Sequence, residues 1–178
     1  MEVLTMPQIY LRHTQAAELD QVMKIIHDAQ KQLLRENINQ WQDGHPSVEQ
    51  VKQDIQNSIS YVLISNHQIA GTAALLKEPE PTYQEIIDGS WINNSSPYAT
   101  IHRFALADDF KGHSLSSILI SCLLTVGYQL NFANFRIDTH PDNQRMQHLI
   151  QKNGFTYQGK IRLNDPQRSF RLAYELNL

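Results

Sequence analysis

Hydrophobic and polar positions along the chain switch between two periods, and the switches mark its elements. From Pro7 to His13 (PQIYLRH), Ile9 and Leu11 alternate with polar neighbours, which predicts a strand. Thr14 offers an N-cap for a following helix, in which Leu19, Val22, Met23, Ile26 and Leu33 build one apolar stripe. Ser47 and Gln50 stand in the S-x-x-Q capping-box relation after Pro46. They open a second helix with Val48, Val51 and Ile55 on its face and its end near Ser60. YVLIS (61–65) and IAGTAALL (69–76) flank the polar turn Asn66-His67-Gln68 and predict a β-hairpin.

Lys77 to Ser96 is rich in turn residues, and Pro79 and Pro81 forbid regular ladders there. A long functional loop is expected, with a short strand or turn around Tyr83 to Ile87. YATIHRFAL (98–106) is the next strand, and its alternation breaks at Arg103, as it would at a β-bulge. Ser114 to Gln129 is a helix by the stripe Leu115, Ile118, Leu119, Cys122, Leu123 and Val126. FRIDT (135–139) is a strand, and Asn143 to Asn153 is an amphipathic helix closed by Gly154, which suits a left-handed C′ position. FTYQGKIRL and SFRLAYEL finish the chain as two strands. The order β, α, α, β, β, β, α, β, α, β, β predicts an α/β sandwich around a mixed sheet.

Composition narrows the class. A chain of 178 residues with 41% hydrophobic content suits one well-buried core, so residues 1–178 are expected to form a single domain. With a formal net charge of -3 and no basic run interleaved with aromatics, nucleic acid is not an expected partner. The one cysteine, Cys122, excludes an intrachain disulfide and multi-cysteine zinc sites, and its place on an apolar stripe makes it a core residue. The start MEVLTMPQIY lacks a signal-peptide pattern, and the longest apolar stretch, Ile118 to Val126, is too short to span a bilayer. No membrane association and a cytoplasmic location are therefore expected.

The letters GHSLS at 112–116 admit two chemistries. Gly112-His113-Ser114-Leu115-Ser116 can be read as a hydrolase elbow with Ser114 as nucleophile and Asp138 with His140 or His148 as later triad members. Against this, the polar stretch Ala107 to Lys111 separates the strand from Gly112, no HGGG-type oxyanion loop is present, and too few βα units remain for that fold. The other reading is a strand-loop-helix whose backbone N–H groups grip an anion. Asp138 and His140 share a strand face and could join His102 in a two-histidine, one-carboxylate metal site. Such residues more commonly hydrogen-bond one another, and no metal is expected. Trp41 and Trp91 fall in loop-rich regions, as substrate-end residues or as hydrophobic plugs.

Three stretches, IHRFALADDFKGHSLSSILI, RIDTHPDNQRMQHLIQKNGF and YQGKIRL with RLAYEL, together resemble the GNAT superfamily of N-acetyltransferases over roughly residues 8–176. The resemblance implies a mixed, mostly antiparallel sheet of about seven strands with helices on both faces. The family's phosphate signature, Q/R-x-x-G-x-G/A, falls on Lys111, Gly112, His113, Ser114, Leu115 and Ser116, with Ser114 and Ser116 where glycine and glycine or alanine are usual. A non-glycine residue forced to positive φ costs about 1–2 kcal/mol, so the conformation of these serines matters for holding a pyrophosphate.

The resemblance further implies that strands 98–106 and 135–139 splay apart, that Phe104 and Leu106 present main-chain atoms to pantetheine, and that Asn143 bonds the cofactor or lies beside it. Many relatives carry a tyrosine four residues before the closing Gly-Phe, to protonate the departing thiolate. Ile150 stands there, with Tyr157 as a substitute if its strand turns it inward.

The function so implied is transfer of an acetyl group from acetyl-CoA to a primary amine, with His102, or a water it holds, as base. The acceptor is a small-molecule or peptide amine, and a homodimer is compatible with this reading. The rival reading is a non-catalytic acyl-CoA-binding or regulatory module of the same fold, suggested by Ser114, Ser116 and Ile150.

Overall fold

A computed structural model of the chain describes residues 7–112, 114–165 and 169–178. Seven strands, β1 (Ile9–His13), β2 (Ser60–Ser65), β3 (Gln68–Leu76), β4 (Tyr98–Leu106), β5 (Asn134–Thr139), β6 (Thr156–Arg162) and β7 (Phe170–Asn177), form one sheet in the order β1-β2-β3-β4-β5-β7-β6. Every neighbouring pair is antiparallel except β4 and β5. Four helices complete the fold: α1 (Leu19–Arg35), α2 (Val48–Gln56), α3 (Leu115–Gln129) and α4 (Gln144–Lys152). The element order is the one the two hydrophobic periods predict.

Alternation along the strands sorts the side chains to two faces. Tyr61 and Leu63 of β2 join Ala99, Ile101, Phe135 and Ile137 under Leu119, Ile120 and Leu123 of α3 and Ile150 of α4. Val62 and Ile64 of the same strand point the other way, onto Val22, Met23 and Ile26 of α1 and Val51 of α2. β2 therefore feeds both cores at once. α3 approaches the sheet closely at Gly127, where an added Cβ would fall 2.3 Å from the Phe135 ring.

Local chemistry explains most element ends. Ser47 Oγ accepts from Gln50 N at 3.2 Å and caps α2. Asn66 and His67 make the tight turn of the hairpin with φ of 47° and 67°, the left-handed pair that a two-residue loop needs. Gly154, at φ 89°, follows the end of α4. Two details differ from expectation. Thr14 does not cap α1: its hydroxyl lies 2.7 Å from Ser60 Oγ, tying β1 to β2, and α1 is entered through a 3-10 turn over Ala16–Glu18. Val48 is exposed, because α2 presents Val51 and Asp54 to the interior instead.

Segment 77–97 has little regular structure beyond a 3-10 turn at Pro81–Tyr83 and one bridge between Ile87 and Lys160, yet it anchors two large side chains in the interior. Tyr83 and Trp91 are buried with Ile161 and Ala173 of β6 and β7, and Trp91 Nε1 donates to the Tyr83 carbonyl at 2.9 Å. Trp91 is thus a plug, covering the part of the sheet that α1 and α2 do not reach. Gly159, at φ 145°, has the Ile87 carbonyl 2.7 Å from where its Cβ would stand, so the loop crosses β6 where there is no side chain.

Replacing Gly127 by Ala should destabilise the fold by about 1–3 kcal/mol, since the Phe135 ring has no free volume to retreat into. Thermal unfolding of the variant, compared with Gly44→Ala, where nothing lies within 4 Å but φ is 86°, separates the packing cost from the backbone cost.

Candidate active site

β4 and β5 run parallel but share only three residue pairs, Tyr98 with Asn134, Ala99 with Phe135 and Thr100 with Arg136. Beyond Thr100 the strands part, while β4 stays paired to β3 as far as Leu106. One edge of β4 from Ile101 onward is therefore left without a strand partner, and the gap opens into a cavity of about 590 Å³. A register shift between Thr72 and Ala74 of β3 places an extra residue on β4, and Arg103 sits there with φ 53°. This is the bulge that the broken alternation at Arg103 predicts. Its guanidinium pairs with Asp54 of α2 at 2.5 and 3.0 Å. Burial raises the Asp54 pKa, and Arg103 opposes that shift.

At one end of the cavity lies the start of α3. Ser114 is the N-cap, at φ 59° and ψ 8°, and its hydroxyl makes no capping bond. The N–H groups of Leu115, Ser116 and Ser117 precede the first intrahelical bond, from Ile118 N to the Ser114 carbonyl, so the helix presents unpartnered donors and a positive dipole end. Lys111, Gly112 and Ser116 line the cavity, and Lys111 Nζ is held by Asp108 and Gln32. Of the two serines in glycine places, Ser114 is left-handed and Ser116 is inside the helix. Leu115 turns its side chain into the core, and His113 lies outside the described residues.

Phe104 and Leu106 both line the cavity from the unpaired part of β4. Asn143 lines it too, but as the N-cap of α4: Oδ1 accepts from Met146 N at 3.1 Å and Nδ2 donates to Gln40 Oε1 at 3.0 Å. The same Gln40 oxygen lies 3.3 Å from His140 N and 3.4 Å from Thr139 Oγ1, so the loop between α1 and α2 is anchored at the end of β5. Trp41 in that loop also lines the cavity.

The opposite end collects ionisable groups. His102 Nε2 stands 3.5 Å from Glu80 Oε2, and Glu80 Oε1 accepts from Thr82 Oγ1 at 3.2 Å. Burial, with the Arg103 charge adding to it, pushes the His102 pKa down to about 4, while Glu80 pulls the other way. The ring keeps 24% exposure and is neutral at pH 7. Tyr83 Oη donates to Asp138 Oδ1 at 2.6 Å. Burial raises both pKa values, that of Tyr83 well above its ordinary value, with the Asp138 charge adding to the Tyr83 shift and the Tyr83 bond opposing the Asp138 one.

One expectation needs correction. Tyr157 is not brought to the cavity: it is 45% exposed on β6 and packs edge-on against Tyr174, since the strand turns it to solvent. The hydrolase triad, against which the sequence already argued, does not assemble. Asp138 is bound to Tyr83, His140 Nδ1 accepts from Asp142 N at 3.1 Å, and no histidine bonds Ser114 among the described residues. Among the described residues, no three His, Cys, Asp or Glu side chains converge as a metal site would need. Ile150 is fully buried under the sheet.

The sequence assigned no site role to Tyr83, Gln40 or Arg171. Arg171 had a usable signal, as one of the two charges set among the apolar residues of RLAYEL; Gln40 had none.

Comparison with known proteins places this geometry. The family model for the acetyltransferase (GNAT) family matches residues 24–155. No curated protein matches the chain. Among solved structures, a GNAT-family acetyltransferase from Streptococcus agalactiae is 31% identical over 96% of this chain and 95% of its own, with a TM-score of 0.88. A GNAT-family acetyltransferase from Listeria monocytogenes shares the fold at 19% identity and TM-score 0.74, over 96% of this chain and 95% of that one. So does the PaiA N-acetyltransferase of Thermoplasma acidophilum in complex with coenzyme A, at 15% identity and TM-score 0.68, over 96% of this chain and 99% of that one. The forked parallel pair, the open start of α3 and these matches agree: the chain belongs to the GNAT family of acetyltransferases.

Proposed function

We propose that the chain transfers an acetyl group from acetyl-CoA to a primary amine by direct attack, within a single domain. The observation that carries this reading is the joining of the unpaired edge of β4 and the uncapped start of α3 in one cavity. Those features fit the cofactor: the first N–H groups of α3 with Lys111 and Gly112 suit a pyrophosphate, and the free main chain at Phe104 and Leu106 suits an extended amide-bearing arm. Acetyl-CoA supplies a thioester-activated acetyl group. A main-chain N–H near Leu106 polarises the acyl oxygen, and the fork fixes the line of approach.

The amine enters at the end that holds Glu80, His102 and Asp138. His102 is neutral there and has a free acceptor nitrogen, so it takes the ammonium proton directly or through a water. Alone it is a weak base; Glu80, 3.5 Å away, stabilises the imidazolium as it forms. Among the described residues no tyrosine lines the cavity in place of the one missing at Ile150, and the thiolate takes its proton from solvent. A second reading, acyl-CoA binding without turnover, draws its support from that same buried Ile150 and from the strained Ser114.

Acetyl-CoA should raise the melting temperature, and amines should then release free thiol; a melting shift without thiol release supports the binding module instead. Ser114→Gly should relieve about 1 kcal/mol of left-handed strain, read as a higher melting temperature, and keep or strengthen acetyl-CoA binding by calorimetry. Total loss of turnover in that variant would point back to a nucleophilic serine.

His102→Gln should lower the rate more than it changes acetyl-CoA affinity. It should also alter acid stability. The folded imidazole titrates near 4 and the unfolded one near 6.5, so the unfolded chain binds more protons between those values. The contribution of His102 is full above pH 6.5 and is lost as the pH falls toward 4. Melting curves at pH 7 and pH 5 should therefore differ less for His102→Gln than for the wild type.

A further inference from the structure

β7 carries Arg171 to the acceptor end of the cavity, where it also borders an adjoining pocket of about 310 Å³. The residue is 8% exposed, yet among the described residues its guanidinium makes one hydrogen bond, from Nη1 to the Phe170 carbonyl at 3.0 Å. No carboxylate of the described residues lies within ion-pair reach of it. The other arginines at the sheet interior are treated differently: Arg103 has Asp54 at 2.5 Å, and Arg136 has Glu175 at 3.3 Å. The carboxylates of Asp138, Asp165 and Asp43 act on Arg171 only at longer range. Asp138 spends one oxygen on Tyr83, 2.6 Å away.

A cation largely withdrawn from bulk water, with no direct counter-charge among the described residues, is costly, and burial lowers the Arg171 pKa. An anion in the cavity it lines would supply that counter-charge. Guanidinium offers parallel donors that match a carboxylate in two-point contact, and in Arg171 only Nη1 is engaged. Glu80 and His102 line the same cavity, so one face suits an ammonium group and another a carboxylate.

We infer that Arg171 binds a carboxylate on the acceptor, which makes the acceptor class an amine that also carries a carboxylate, as an amino acid does. The inference rests on the acetyltransferase reading above, with the amine at the Glu80–His102 end. Simple polyamines leave Arg171 buried and unpaired, and are poor acceptors for that reason.

The test uses the full chain with acetyl-CoA and a panel of free α- and ω-amino acids, their matched carboxamides, short peptides with free or amidated C-termini, and polyamines. Thiol release reports turnover. At least one free acid should be used with kcat/KM about 10- to 100-fold above its own amide. Arg171→Gln should abolish that discrimination, mainly by raising KM for the acid, while the amide is little affected. Arg171→Lys should recover part of it, because the charge returns without the fork. A free peptide terminus outperforming free amino acids would assign the carboxylate to a chain end.

Binding gives a second readout. The N-acetyl derivative of the preferred acid should raise the melting temperature of the wild type and not of Arg171→Gln. If Arg171→Gln does not fold, the acid-to-amide ratio of the wild type and the Arg171→Lys variant carry the test. Equal use of acids and amides, a preference for polyamines, or no turnover of any carboxylate-bearing amine overturns the inference. Absence of any acetyl-CoA melting shift overturns the acetyltransferase reading as a whole, so the two failures are distinguishable.

Discussion

The cavity exists because β4 and β5 share only three residue pairs. Each backbone amide and carbonyl of a sheet interior requires a partner, and a strand that loses its neighbour must gain another donor and acceptor or face water. Past Thr100, β4 keeps β3 on one side and has no strand on the other. The bulge at Arg103 twists the strand at that point, and the Arg103–Asp54 pair ties the bulge to α2. Everything placed around the gap, from the start of α3 to the end of β5, depends on the strands staying apart there.

The closed end of the fork is pinned by Arg136, at the last pair. Its guanidinium lies between the rings of Trp91 and Tyr98, 4.0 and 3.9 Å from their centroids, and 3.3 Å from Glu175. Arg136 is 3% exposed and Glu175 1%, so the pair must have its remaining valences filled. Segment 77–97 fills them. Arg136 Nη2 donates to the Asn93 carbonyl at 2.7 Å, and Glu175 Oε2 accepts from Ile92 N at 2.6 Å. The contacts that hold the fork base also hold the loop, and the loop brings Glu80, Thr82 and Tyr83 to the part of the cavity near His102. A segment without regular structure is thereby made precise enough to position chemistry, through buried charge and aromatic stacking rather than a hydrogen-bond ladder.

The electrostatics divide along the cavity. The α3 end offers unpartnered N–H groups and Lys111, which suit an anion. The other end mixes Glu80, Asp138 and Arg171 around a histidine that burial keeps neutral. Arg103 and Arg136 have carboxylate partners within the protein, and Arg171 has none within ion-pair reach among the described residues. The first two hold the frame, while the third faces the space that the frame encloses.

Sequence periodicity alone determined the order of elements, the helix stripe of Val22, Met23 and Ile26, the Ser47 cap, the hairpin and the bulge at Arg103, because each depends on residues close together in the chain. Family resemblance singled out Lys111 to Ser116, and the described part of that stretch leads into the N-terminus of α3. Local patterns cannot report what a distant segment covers. β5 reads as FRIDT, with Arg136 and Asp138 on what alternation marks as a polar face, and only Tyr83 and Trp91, more than forty residues earlier, turn that face into an interior. Asn143 could be predicted beside the cavity, but its bonds to Met146 and Gln40 came from the fold. Whether Ser114 was strained, whether Tyr157 faced inward and which arginine lacked a counter-charge were decided by the tertiary structure, since backbone conformation, strand facing and charge pairing are set by long-range packing.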